Sequence, residues 1–146
     1  MADNTLIQFL SKGEAADTGN RRQVETFIAS GTIAAGDVVA FDTAQTGADR
    51  VLYVAKAGLV ANGNGLCCGV ALAAASAGET VQCVIAGYAD VKTHGTVSAA
   101  NLLTASGTSA GTVDGRVAGD ISPAFGITLE ARTGAGSVAA WVYKSF

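Results

Sequence analysis

Charge is scarce in this chain. Only 14% of its 146 residues are Asp, Glu, Lys or Arg, well under the usual quarter, and the formal net charge is -3. Without a basic stripe, nucleic acid is not the expected partner; Arg21 and Arg22 alone make too small a patch. There is one proline and one histidine. The longest apolar run, around residues 66–77, is too short and too rich in Ala and Gly to span a bilayer, so no membrane is expected. The first residues, MADNTLIQFLSKGEAAD, have no basic segment ahead of an apolar core, so no export signal is read there. Three cysteines, two of them the adjacent Cys67 and Cys68, cannot build a disulfide framework. Neighbours on a strand face opposite ways, and the simplest reading is small buried thiols made in a reducing cytosol.

What is present is small and apolar. Hydrophobic residues make up 49% of the chain and 19 residues are glycine, which excludes a disordered polymer and suits one domain with a real core. A chain this poor in charge cannot cover its own surface with polar groups, so part of that surface is expected to meet other chains.

The organising stretch is residues 69–91, GVALAAASAGETVQCVIAGYADV. Its second half alternates, with Val81, Cys83, Ile85, Gly87, Ala89 and Val91 predicted on one face and Gln82, Val84, Ala86, Tyr88 and Asp90 on the other. Ala77-Gly78-Glu79-Thr80 reads as a turn, and residues 66–74 as the preceding strand of a central hairpin. Further strands are predicted over VETFIASG, DVVAFD, RVLYVAKA, residues 112–117, residues 125–131 and SVAAWVYKSF. VSAANLLTAS reads as a strand or a single helical turn, and Asn62-Gly63-Asn64-Gly65 as the strongest turn signal. IAAGDVVAF and SAGETVQCVIAG echo each other, which we read as two similar turns. No stretch keeps a helical period. The expected fold is all-β, a small single-domain barrel or sandwich over residues 24–146.

Residues 1–23 differ from the rest. Leu6, Ile7, Phe9 and Leu10 form a small apolar cluster, followed by a polar segment that carries Arg21 and Arg22. This is either a frayed terminus or an extended arm that orders on a partner.

No catalytic constellation is legible. Gly107-Thr108-Ser109-Ala110-Gly111 fits the G-x-S-x-G pattern, but polar flanks, no following helix and a histidine (His94) that precedes it make a chance match the better reading. Gly63, Gly65 and Gly69 lack the spacing of a dinucleotide fingerprint. Cys67, Cys83 and His94 could only in principle meet around a metal, and the carboxylates from Asp37 to Glu130 are scattered through turns and strand ends. No enzyme, cofactor or metal is expected.

GTIAAGDVVAFD, VLYVAKAG, the 69–91 stretch and the closing FGITLEARTGAGSVAAWVYK together resemble the small phage capsid decoration, or head cement, proteins. The shared pattern falls on Gly69, Val70, Ala71, Ala77, Gly78, Val81, Cys83 and Gly87, and the likeness runs from Val24 to Lys144. The resemblance implies a β-tulip-like domain with an extended N-terminal arm that binds the major capsid protein. It further implies a homotrimer on the outer surface of the virion, made in the host cytoplasm, that cements neighbouring capsid subunits. Leu6, Ile7, Phe9, Leu10, Arg21 and Arg22 would then be the capsid-binding arm. A head fibre, or a receptor- or carbohydrate-binding virion protein, is the alternative. Clustered exposed aromatics would favour it, and Tyr53, Tyr88, Trp141 and Tyr143 are spread across the predicted strands with no such cluster.

Overall fold

The alternating run after Gly78 forms the longest strand. The computed structural model describes residues 22–58 and 66–143. Its strands are β1 (Arg22–Ala29), β2 (Val38–Phe41), β3 (Tyr53–Lys56), β4 (Cys67–Ala71), β5 (Thr80–Thr93), β6 (Leu102–Ala105), β7 (Val113–Gly115), β8 (Gly126–Thr128) and β9 (Gly136–Val142). Leu6, Ile7, Phe9, Leu10, Arg21 and the Asn62–Gly65 turn signal lie outside the described residues.

All nine strands belong to one mixed sheet, and its ladders return to β5 twice. The first half of β5 is flanked by β1 on one edge and β4 on the other, and β3 and β2 complete that ring. The second half pairs with β9 and, through Thr93 and Val113, with β7; β6 and β8 complete the second ring. The architecture is all-β, as the strand spacing predicts, with β5 common to both rings.

The alternation along β5 is real but does not keep one sense. Val81, Cys83 and Ile85 belong to one buried cluster, with Phe27, Ile33, Val39, Val54 and Cys68. Val84, Ala89 and Val91 belong to the other, with Leu103, Val113, Phe125, Val138 and Val142. The expectation that Val81 through Val91 serve one face is therefore corrected. The β1 partners step from Val84 to Ala86, leaving Ile85 as an extra residue, and Gly87 takes a φ of +97°. A bulge reverses which side chains point to which face, and a glycine accommodates the positive φ.

Strands β2 and β4 are buried on both faces, which explains the small residues. Val38, Ala40, Cys67 and Val70 face one core, Val39, Cys68 and Ala71 the other. Adjacent Cys67 and Cys68 thus point opposite ways, as expected.

The turn echo has a structural meaning. The turns that begin at Ile33 and Ala75 face each other through a bridge in which each main-chain N–H donates to the other's carbonyl, at 2.9 and 3.0 Å. In each, the acidic residue's N–H donates three residues back, Asp37 to Ala34 and Glu79 to Ser76, around a glycine with positive φ, Gly36 or Gly78. A third copy at Val97-Ser98-Ala99-Ala100-Asn101 repeats the Asn101 to Ser98 bond. Ala100 there (φ +60°) is the only non-glycine with positive φ among the described residues. This copy makes Leu102 the first residue of β6, so the strand-or-turn run beginning at Val97 is a turn followed by a strand.

Several strands are shorter than the sequence predicts, β7 and β8 among them, with three residues each. RVLYVAKA is strand only from Tyr53, because Gly47–Val51 winds into a short 3-10 helix closed by Leu52 N–H on the Asp49 carbonyl. The run at 66–74 leaves the ladder after Ala71. Where β2 ends, Asp42 accepts from Ser30 Oγ (2.6 Å), Gln45 Nε2 (2.9 Å) and Ala44 N–H (3.0 Å). These bonds, the Ser30 hydroxyl first, favour the charged carboxylate and hold its pKa below the ordinary range. The contribution to stability is complete above the unfolded carboxylate range near about pH 4 and is lost as pH falls through the lower folded value. Wild type should therefore lose more thermal stability than Asp42→Asn between about pH 5 and about pH 2, as read from parallel melts.

Candidate functional site

Arg22 is the first described residue and the first of β1. Arg22 pairs with Gly87 of β5 and stands half-buried at the mouth of a cleft of about 220 Å³. The cleft lies where the two rings join; Gly36, Leu72, Tyr88, Asp90 and Ser137 are among its lining. Of the six arm residues proposed from sequence, Arg22 is the one within the described residues.

Next to the cleft, β5 and β9 present an outward face. Their register sets Lys92 opposite Ser137, Asp90 opposite Ala139, and Tyr88 opposite Trp141. Directly opposed residues on a ladder have Cβ atoms about 5 Å apart, so these pairs are neighbours. Trp141 also stands opposite Ile127 of β8, and just past β9 Tyr143 continues that pairing by donating its N–H to the Phe125 carbonyl, two residues on and thus on the side of Trp141. Tyr88, Trp141 and Tyr143 are 37–39% exposed, whereas the intervening Ala89, Ala140 and Val142 are buried. The sequence reading, which saw these aromatics as dispersed, is corrected here: three of them share one face, and Tyr53 alone sits apart on β3. Strand register brings together residues that are more than fifty positions apart, and no local pattern announces it.

Polar groups rim this face. The Tyr88 hydroxyl donates to Asp90 Oδ1 at 3.1 Å, and Glu130 Oε1 accepts the Ala139 N–H at 3.0 Å. Desolvation, then the hydrogen bond and charge of Asp90 and the charge of Glu130, raise the Tyr88 pKa, partly offset by Arg22. The phenol is thus a neutral donor at ordinary pH.

A second polar group lies at the far end of β5. Asp37, 2% exposed, accepts from Lys92 Nζ (2.7 Å) and the Ala34 N–H (2.8 Å) and pairs with Lys56 Nζ at 3.3 Å. It ties the first turn to β3 and β5.

The residues tested for chemistry are not assembled as a catalytic relay. His94 Nδ1 is 3.3 Å from Thr108 Oγ1 and 3.4 Å from Asp114 Oδ1. Both neighbours approach the same ring nitrogen, whereas a relay needs one on each. Ser109 contributes its N–H to Ser106 Oγ and its carbonyl to Thr112 Oγ1, which shapes the loop. Cys67 and Cys83 fall in different cores and His94 is exposed, so the three do not meet. Burial pushes the thiols of Cys67 and Cys83 up to about 12 and that of Cys68 higher still, which keeps all three protonated. No helix among the described residues is long and apolar enough to cross a membrane.

No protein-family model and no curated protein matches this sequence. Among solved structures, the chain is similar to the crystal structure of the N base of the head fibre gp8.5 of bacteriophage phi29. The TM-score is 0.59 over 84% of this chain and 94% of that one, at 18% identity. At that identity the likeness is one of fold.

Proposed function

We propose that this chain is a structural protein of a phage head, bound to the major capsid protein on the outer surface of the shell. The observation that carries the reading is the fold: nearly the whole domain overlays a head-fibre base. It is supported by the low charge, which leaves exposed apolar side chains such as Val117 and Ile121 (71% and 80%) for other chains to cover. In this reading residues 1–23 are the arm, Leu6, Ile7, Phe9 and Leu10 its anchors, and Arg21 and Arg22 its polar root. The protein is a homotrimer, made in the host cytoplasm, that cements neighbouring capsid subunits. Repetition over many copies makes weak single contacts sufficient. It acts by binding, without catalysis.

A second reading, the base of a head fibre, is favoured by the name of the similar structure and by the aromatic face. Co-sedimentation with expanded heads tests both. The full chain should pellet with heads, and a chain lacking residues 1–21, which spares every β1 pair, should stay folded yet lose at least tenfold in affinity. Undiminished binding by the truncated chain would refute the arm as anchor. A cement raises the temperature at which heads rupture; a fibre base binds and leaves it unchanged. Light scattering on the free protein reads the trimer directly.

A further inference from the structure

The outward face of β5 and β9 combines features that an ordinary protein surface does not place together. Two aromatic side chains stand directly opposite each other, Tyr88 and Trp141, with Tyr143 on the same side. Past the buried pair Ala89 and Ala140, the next outward pair along the ladder is Asp90 and Ala139, so only a methyl group follows Trp141 on the β9 side. Each carboxylate at the rim, Asp90 and Glu130, commits one oxygen to a bond within the protein and keeps the other as an acceptor. Tyr88 and Asp90 of this face also line the cleft of about 220 Å³ with Arg22 and Ser137, whose size suits a single pyranose ring.

We propose that this face is a saccharide-binding platform: one hexose unit stacks on Tyr88 and Trp141 while its hydroxyls donate to Asp90 and Glu130, and the adjoining unit enters the cleft beside Ser137. The apolar C–H face of a pyranose matches an aromatic ring, and its hydroxyls match free carboxylate oxygens. Aromatic side chains with two rotatable bonds make such contacts at low entropic cost. The charge pattern selects among sugars. Asp90 and Glu130 flank the two rings, whereas Lys92 and the Arg132 guanidinium lie at Ser137, so the unit stacked on the rings is disfavoured when it bears its own carboxylate or phosphate. The ligand class is a neutral glycan. This function is additional to head binding and does not depend on it.

The chain has one tryptophan, and it is Trp141. Its emission therefore reports the platform without a label. The full-length protein is titrated with neutral hexasaccharides of glucose, galactose, mannose and N-acetylglucosamine, and with sialyllactose as the anionic counterpart. At least one neutral glycan should give a saturable change with a Kd below about 1 mM, and sialyllactose none. Tyr88→Ala should weaken it about tenfold or more, and the isosteric Asp90→Asn several-fold with an unchanged melting temperature. No change with any neutral glycan up to about 10 mM would overturn the proposal, as would an identical titration in Tyr88→Ala. So would emission that shifts on dilution without sugar, because a second copy would then be covering the face. A protein that pellets with heads but ignores every glycan refutes this inference alone; one that binds glycan but not heads refutes only the proposed function.

Discussion

Replacing Asp37 by alanine is expected to lower the unfolding free energy by about 3 kcal/mol, the low end for breaking a buried ion pair. Both lysines are more than a third exposed and can turn to water, which places the effect at that lower end. The remaining loss is specific. The carboxylate accepts the Ala34 N–H across the first turn, and its own residue's carbonyl receives the Ala71 N–H. Removing the side chain leaves a buried cavity and a donor without its acceptor. Asp37→Asn preserves the shape and the turn bond but withdraws the charge from two ammonium groups, so it should lie between alanine and wild type. Urea titration of the three proteins checks the order; an alanine variant within about 0.5 kcal/mol of wild type would contradict this account.

Gly69→Ala should be at least as damaging, by roughly 3 kcal/mol, although it adds one methyl group. A Cβ at Gly69 would lie 2.6 Å from the Val84 carbonyl oxygen and 3.3 Å from Cys83 Cβ. Neither can move independently, because Val84 and Cys83 are themselves ladder partners of Val70 and Ala71 in the same hairpin. Gly78→Ala makes a useful comparison: its Cβ would have open space, and only the strained φ of +85° penalises it, at about 1 kcal/mol. If thermal melts rank Gly78→Ala below Gly69→Ala in stability, close packing at the hairpin is not the controlling factor.

Much of the fold is legible along the chain. Alternation marks β1 and β5, and Ala-Gly-acid marks the turns before β2 and β5, because those features are local. What is not legible depends on partners distant in sequence. The bulge at Ile85 is a property of the pairing with β1, and the sequence around it reads as unbroken alternation. Ala100 holds a positive φ with no glycine to signal it; Thr128 fixes that turn by donating to the Ser98 carbonyl and accepting the Asn101 N–H. The aromatic face was hidden for the same reason. Tyr88 and Trp141 are each visible as residues of predicted strands, but only the register of β5 on β9 makes them neighbours. Of the six residues read from sequence as an arm, Arg22 lies in β1, paired with Gly87.

The strand common to both rings also governs how the molecule would carry tension. Arg22 and Val142 both sit opposite Gly87, on the two edges of β5. From Gly87, β1 runs toward Thr80 and β9 comes in from Thr93, each antiparallel to β5. A pull on the chain before Arg22, opposed by a pull beyond Val142, therefore drags the two flanking strands past β5 in opposite directions along its axis. The hydrogen bonds of both ladders lie across that direction. They are loaded together in shear, rather than peeled one at a time as when a hairpin is opened from its end. A domain held at one end and tugged at the other would yield only when a whole ladder gives way at once.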